Sequence, residues 1–148
     1  MHRGSCLCGT VQYEADRVQG PYVYCHCESC RKSSGTAFAA NVSVAVNEFR
    51  VVSGAEQLTT YESSPGKVRH FCGQCGSPLY TKVGRDPKFV RVRLGSLDTD
   101  FSQHPSAHIF VAQKAHWHTI DGHRTQYAEW PDVEDVKIPG SRQSESDR

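Results

Sequence analysis

The chain has no long apolar run and almost no net charge. Its 148 residues hold 17 basic and 16 acidic side chains, a formal net charge of +1. So even a balance sets up no field that would draw in nucleic acid or an anionic membrane. No stretch approaches the ~18 apolar residues of a membrane-spanning helix. The opening "MHRGSCLCGT" turns polar within a few positions and contains no signal-peptide core, so a cytosolic protein is expected. Leucine is scarce, with five against fifteen valines. β-branched side chains suit pleated strands, whereas leucine is the better helix former. No amphipathic helical pattern longer than about three turns stands out. Composition therefore points to an all-β fold with short helical turns.

What the chain does contain is organised in short runs. Candidate strands are "TVQYEA" (10–15), "TAFAANVSV" (36–44), "FRVVSG" (49–54), "LTTYES" (58–63), "KVRHF" (67–71), "PLYTKV" (78–83), "KFVRVRLGSL" (88–97) and "AHIFVAQ" (107–113). In "FVRVRL" the period is two: Phe89, Arg91 and Arg93 point one way, and Val90, Val92 and Leu94 the other. Turn signals such as "SSPG", "GRDP" and "TIDGHR" separate the runs. "CESCRKSSG" (27–35) reads as one short helical turn ended by Gly35. The length fits one domain, expected over residues 1–138, with 139–148 as a fraying polar tail. A hydrophobic share of 37% is modest, so such a core would gain from cross-links.

The cross-links are legible in the cysteines. There are seven, an odd number, and no secretion signal accompanies them. Thiols stay reduced in the cytosol, so clusters at one-, two- and three-residue steps read as metal ligands rather than disulfides. "CLCGTVQY" (6–13) and "CGQCGSPLY" (72–80) echo one another: two cysteines, a glycine, then an apolar segment ending in tyrosine. A glycine after the second cysteine suits the positive φ of a metal-binding knuckle. Two facing knuckles would make one closed tetrahedral site from Cys6, Cys8, Cys72 and Cys75, the geometry of structural zinc. That site would staple the N-terminus to the middle of the chain.

Cys25, Cys27 and Cys30 are left over, followed by Arg31 and Lys32 rather than glycine. Three protein ligands and an open fourth position is the arrangement of catalytic zinc, and soft thiolates select zinc over hard cations. Two other readings stand beside it. A histidine arriving from elsewhere (His70, His104, His108, His116 or His118) would close the site and make it structural; His26, inside the loop, is expected to point away. Alternatively, Cys25 and Cys30 would form a transient disulfide in a thiol or metal sensor.

With these residues laid out, the sequence resembles the family of glutathione-dependent formaldehyde-activating enzymes, whose domain is shared with the centromere protein CENP-V. The landmarks run in order: "GSCLCGTVQYE" (4–14), "CHCESCRKSSGTAF" (25–38), "FCGQCGSPLY" (71–80), "LGSLD" (94–98), "HIFV" (108–111), Trp117 and "EWP" (129–131). The resemblance implies a tent-like all-β fold with two zinc ions, one structural and one catalytic. It assigns Cys6, Cys8, Cys72 and Cys75 to the first and Cys25, Cys27 and Cys30 to the second. It also implies a carbon–sulfur lyase that joins formaldehyde to the thiol of glutathione. Arg31 and Lys32, beside the triad, are candidates for the carboxylates of glutathione. The competing reading is a non-catalytic zinc module for a protein partner, nucleic acid being disfavoured by the charge balance.

Three further features carry expectations. Phe110 and Trp117 read as core aromatics, with His116 and His118 on the opposite face of a strand. Arg91 and Arg93 read as a solvated strand face rather than an anion site. Asp98 in "LGSLD" reads as a turn anchor.

Overall fold

The structure is a computed structural model that describes residues 1–143. The chain runs β1 (His2–Ser5), β2 (Gln12–Ala15), β3 (Val23–Cys25), α1 (Glu28–Ser34), β4 (Ala39–Ala45), β5 (Phe49–Ser53), β6 (Leu58–Ser64), β7 (Lys67–Cys72), β8 (Pro78–Val83), β9 (Phe89–Arg93), β10 (Ala107–Ile109) and β11 (Thr125–Gln126), with short 3₁₀ turns between. It is a predominantly β fold with one short α-helix. One sheet is three-stranded, in the order β1-β2-β5. The other is eight-stranded, in the order β11-β10-β3-β4-β9-β8-β7-β6. Pairing is antiparallel except at β10, which lies parallel to β3 and to β11.

The larger sheet owes its architecture to period-two alternation. On one face Val42 and Val44 of β4 stand opposite Val92 and Val90 of β9, and Tyr80 of β8 opposite Val92. With Val11, just before β2, and Tyr13 and Ala15 of the small sheet they form the main core. Each fully buried valine contributes on the order of 1.5–3 kcal/mol over an exposed one. The other face of the same strands is polar. Asn41 pairs with Arg93, Ser43 with Arg91, Thr81 with Arg91, and Arg69 with Thr81. A second, smaller core of Val23, Ala107, Ile109 and Ile138 sits at the β3–β10 end.

Several sequence expectations need correction. Strand β10 stops at Ile109 because Phe110 takes a left-handed φ of 54°, and Val111–Gln113 then form a 3₁₀ turn. Having left the sheet there, the chain leaves Trp117 72% exposed, while Phe110 packs edge-on against Trp130 at 5.2 Å. The expected strand face bearing His116 and His118 does not form. Arg93 is not solvated either, being only 8% exposed. The stretch after Ile138, expected to fray, docks over the polar face through residue 143. The Pro139 carbonyl accepts from Ser43 Oγ at 2.6 Å and from Arg91 at 3.3 Å. The buried Gln143 amide donates to the carbonyls of Pro131 and Val136. The rest of the expected tail, 144–148, lies outside the described residues. Among the described residues no helix is long and apolar enough to cross a membrane.

Candidate metal centres

The two cysteine-glycine turns fold alike and face each other. Cys6 N donates to the Val11 carbonyl and Cys72 N to that of Ser77, both at 3.0 Å, closing equivalent loops. Gly9 (φ 78°) and Gly76 (φ 80°) occupy the left-handed positions that the sequence pattern requires. Cys6 and Cys72 are buried in the main core, and Cys8 is exposed. The four sulfurs lie within 4.8 Å of one another. Cys6 Sγ is 3.5 Å from Cys8 Sγ, which is 3.9 Å from Cys72 Sγ. Four thiolates about 2.3 Å from a tetrahedral ion stand about 3.8 Å apart, so the quartet fits a closed site. Hydroxyls assist it. Cys75 lies 3.2 Å from Ser77 Oγ, and this contact is the main reason its pKa falls to about 5. Thr10 lowers Cys8 in the same way.

The second cluster is built around α1. Cys25 ends β3, paired between Ala39 of β4 and Ile109 of β10. Cys27 is the N-cap of the helix, and its sulfur accepts from Cys30 N at 3.4 Å. Cys30 points inward from the first turn and is buried. Gly35, with φ 72°, ends the helix as its position implied. The three sulfurs again lie within 4.8 Å of one another. Among the described residues no histidine, aspartate or glutamate ligand atom joins them within that distance. Hydrogen bonds from the Cys25 and Cys27 thiols, aided by the charges of Lys67 and Arg93, hold Cys30 well below the ordinary thiol range. The same sharing pushes Cys25 up.

The histidines stand apart from the triad. His26 is fully buried rather than merely turned away. Its Nε2 lies 2.9 Å from His108 Nδ1, and its ring stacks on His118 at 5.9 Å. Burial pushes its pKa down to about 4, so the ring is neutral at physiological pH. His70 stacks on Tyr80 at 4.3 Å, in another part of the sheet.

What surrounds the triad is cationic. A cavity of about 80 Å³ opens on Cys25 and Cys30 and is lined also by Lys67, Arg69 and Arg91. Arg93 sits one register step away, its Nη2 donating to Ser33 Oγ at 3.2 Å. Arg69 donates to the same hydroxyl at 3.0 Å. Burial lowers the pKa of Lys67, Arg91 and Arg93, and the nearby thiols pull each back up. Among the described residues no carboxylate forms an ion pair with Lys67, Arg69, Arg91 or Arg93. These four residues escaped the sequence reading as a group. A signal was present, since cations two apart in "KVR" (67–69) and in "RVR" (91–93) must share a strand face.

Arg31 and Lys32 are placed differently from this group, and neither lines the triad cavity. Lys32 is exposed and pairs with Glu28 at 3.0 Å. Arg31 lines a surface pocket with Gln113, Lys114, His116 and Trp117. Asp98 anchors its loop to β1, accepting from Ser5 Oγ at 2.7 Å while its N–H donates to the Arg3 carbonyl.

The chain is similar to known proteins over much of its length. The family model described as glutathione-dependent formaldehyde-activating enzyme matches residues 1–113. A Halomonas elongata protein with the provisional name of glutathione-dependent formaldehyde-activating enzyme is 34% identical over 143 residues, covering 87% of this chain and 88% of its own. An uncharacterized lyase of Schizosaccharomyces pombe is 32% identical over 95 residues, 63% of this chain and 67% of its own. A crystal structure of a Rhodobacter sphaeroides protein superposes with a TM-score of 0.58 at 27% identity, over 67% of this chain and 90% of that one.

Proposed function

This chain belongs to the family of glutathione-dependent formaldehyde-activating enzymes, and on that premise we propose that it is a zinc-dependent carbon–sulfur lyase acting on a small thiol and an aldehyde. Glutathione and formaldehyde are the first pair to test. The observation that carries the reading is the count of ligands. Four sulfurs converge at one cluster and three at the other, with no fourth ligand at the latter among the described residues. The quartet is read as a structural zinc site and the triad as the catalytic one. Thiolates are soft donors, and the spacing of both clusters fits zinc.

A zinc ion held by Cys25, Cys27 and Cys30 would supply a Lewis-acidic position open to a thiol or to an aldehyde oxygen. The protein's own groups do the rest. Cys27 fixes the start of α1 and so aims Cys30 at Cys25. Lys67 and Arg93 favour the thiolate form of Cys30, and a neighbouring substrate thiolate would gain from the same charges. The substrate sulfur then bonds to the carbonyl carbon, and the carbonyl oxygen takes up the proton the thiol has lost. The product is a hydroxymethyl thioether, S-hydroxymethylglutathione for the first pair. The neutral His26–His108 pair lies outside the triad cavity and donates nothing to the triad in this reading. A metal-replete sample mixed with formaldehyde and glutathione should speed their interconversion with the adduct, followed by exchange NMR. Exchange no faster than in buffer would remove this reading.

A further inference from the structure

Buried polar nitrogens nearly always find a hydrogen-bond partner. In this protein Arg69 Nη2 and Arg93 Nη1 are buried without one among the described residues. Both arginines line the same pocket, of about 300 Å³. Its walls include Ser33 on the triad side, Gly76 and Pro78 on the quartet side, and Tyr61 and Tyr80. The pocket therefore lies between the two cysteine clusters.

Its polar end is assembled with some care. Ser33 Oγ accepts from both Arg69 and Arg93 and donates to the Cys30 carbonyl at 3.3 Å. Arg69 is held a second time by Ser63 Oγ at 2.9 Å. Two guanidinium groups are thus fixed side by side, one turn of α1 away from a triad sulfur, and each keeps an unused N–H. Repulsion between them goes uncompensated by any carboxylate ion pair among the described residues. Three thiolates around one divalent ion leave a single negative charge, less than Lys67, Arg69, Arg91 and Arg93 together can balance. Such an arrangement is suited to an incoming anion, and planar guanidinium groups favour a carboxylate.

We propose that this pocket is the carboxylate subsite of the thiol substrate, with Arg69 and Arg93 as its ligands and Ser33 as the group that positions them. The proposal rests on the reading that the triad takes a small thiol, and it extends that reading by selecting thiols that carry a carboxylate. It moves the anion-recognition role from Arg31 and Lys32 to the strand face of β7 and β9.

Three probes separate the two claims, titrated calorimetrically into zinc-replete protein. Glutathione has both thiol and carboxylates, its diethyl ester keeps only the thiol, and S-methylglutathione keeps only the carboxylates. Glutathione should bind at least about tenfold more tightly than the diester. Arg69→Gln should erase that difference with zinc content unchanged, and Arg69→Lys should restore part of it. Arg93→Gln should act likewise; if it fails to fold, the half-buried Arg69 still decides the question. Equal binding of acid and ester, or a difference that survives Arg69→Gln, would overturn the subsite. If glutathione binds no better than S-methylglutathione, the thiol reading falls instead. In that case S-methylglutathione binding that is lost in Arg69→Gln still upholds the subsite, and binding that persists overturns it.

Discussion

The quartet and the triad use the same ligand atom at nearly the same spacing, yet they are embedded in opposite ways. The quartet is made by two tight backbone turns with glycine at positive φ, and its side-chain partners are neutral, the hydroxyls of Thr10 and Ser77 and the amide of Gln74. Two of its sulfurs belong to the main hydrophobic core. The triad is made by one strand end and one helix turn, on the polar face of the large sheet, among four cations. Neutral hydroxyls and a shared core suit a site that only holds the fold together. A ring of buried and half-buried cations costs desolvation energy and has no structural use that a few apolar residues would not serve better. The difference teaches that ligand number and surrounding charge change together here, and this contrast is what supports the proposal that chemistry belongs to the triad.

The comparison breaks most visibly under substitution of a ligand. Cys72→Ser removes a fully buried core sulfur and opens the staple between the N-terminus and β7. A domain stabilised by about 5–15 kcal/mol should lose more than about 4 kcal/mol, and with it most of its cooperative thermal transition. A sharp melt near the wild-type temperature would show that the quartet is not structural. Cys27→Ser should instead abolish acceleration of thiol–aldehyde exchange while far-ultraviolet circular dichroism stays as in the wild type. Retained activity would mean that chemistry does not need the triad.

Acid should sharpen the contrast between ligands and neighbours. His26 has a folded pKa near 4, below its ordinary value of 6.5. Between these values the unfolded chain binds the proton and the folded chain does not. The stability it contributes is therefore complete above pH 6.5 and is lost as pH falls toward 4, at no more than about 1.4 kcal/mol per pH unit. His26→Gln should flatten the acid limb of stability against pH relative to wild type, read by denaturant unfolding at several pH values. Parallel curves would show that His26 does not carry the effect. The smallest effects belong to the turns. Gly76→Ala in the quartet and Gly35→Ala at the end of α1 both meet open space but require positive φ. Each should cost about 1–2 kcal/mol, a few degrees in Tm. A much larger loss at Gly76 than at Gly35 would show that the knuckle backbone is tied to metal retention beyond its conformational cost.

Much of this was legible in the residues. The knuckles were readable because metal ligands and their glycines are local in sequence, as was the short helical turn ended by Gly35, though not its cap at Cys27. The strand at 78–83 appears where alternation and flanking turns place it. Failures came where the partner surface is remote. Alternation in "FVRVRL" shows that Arg91 and Arg93 share a face, but only α1 and the segment through Gln143 reveal that the face is covered. Trp117 looked like core by residue type, yet a single left-handed residue, Phe110, turns the chain out of the sheet before reaching it. The short strands β1, β3 and β11 were missed because two to four residues carry too little pattern to separate from a loop. His26 was judged by its neighbours' direction, whereas its burial depends on His108, 82 positions away.

The division of labour between the clusters is tested most directly by counting zinc in Cys27→Ser during thermal unfolding. The account predicts two zinc ions per chain in the wild type, one for each cluster. In the variant it predicts one, still released only as the protein melts. Loss of both ions together, or collapse of the melting transition in this variant, would contradict it.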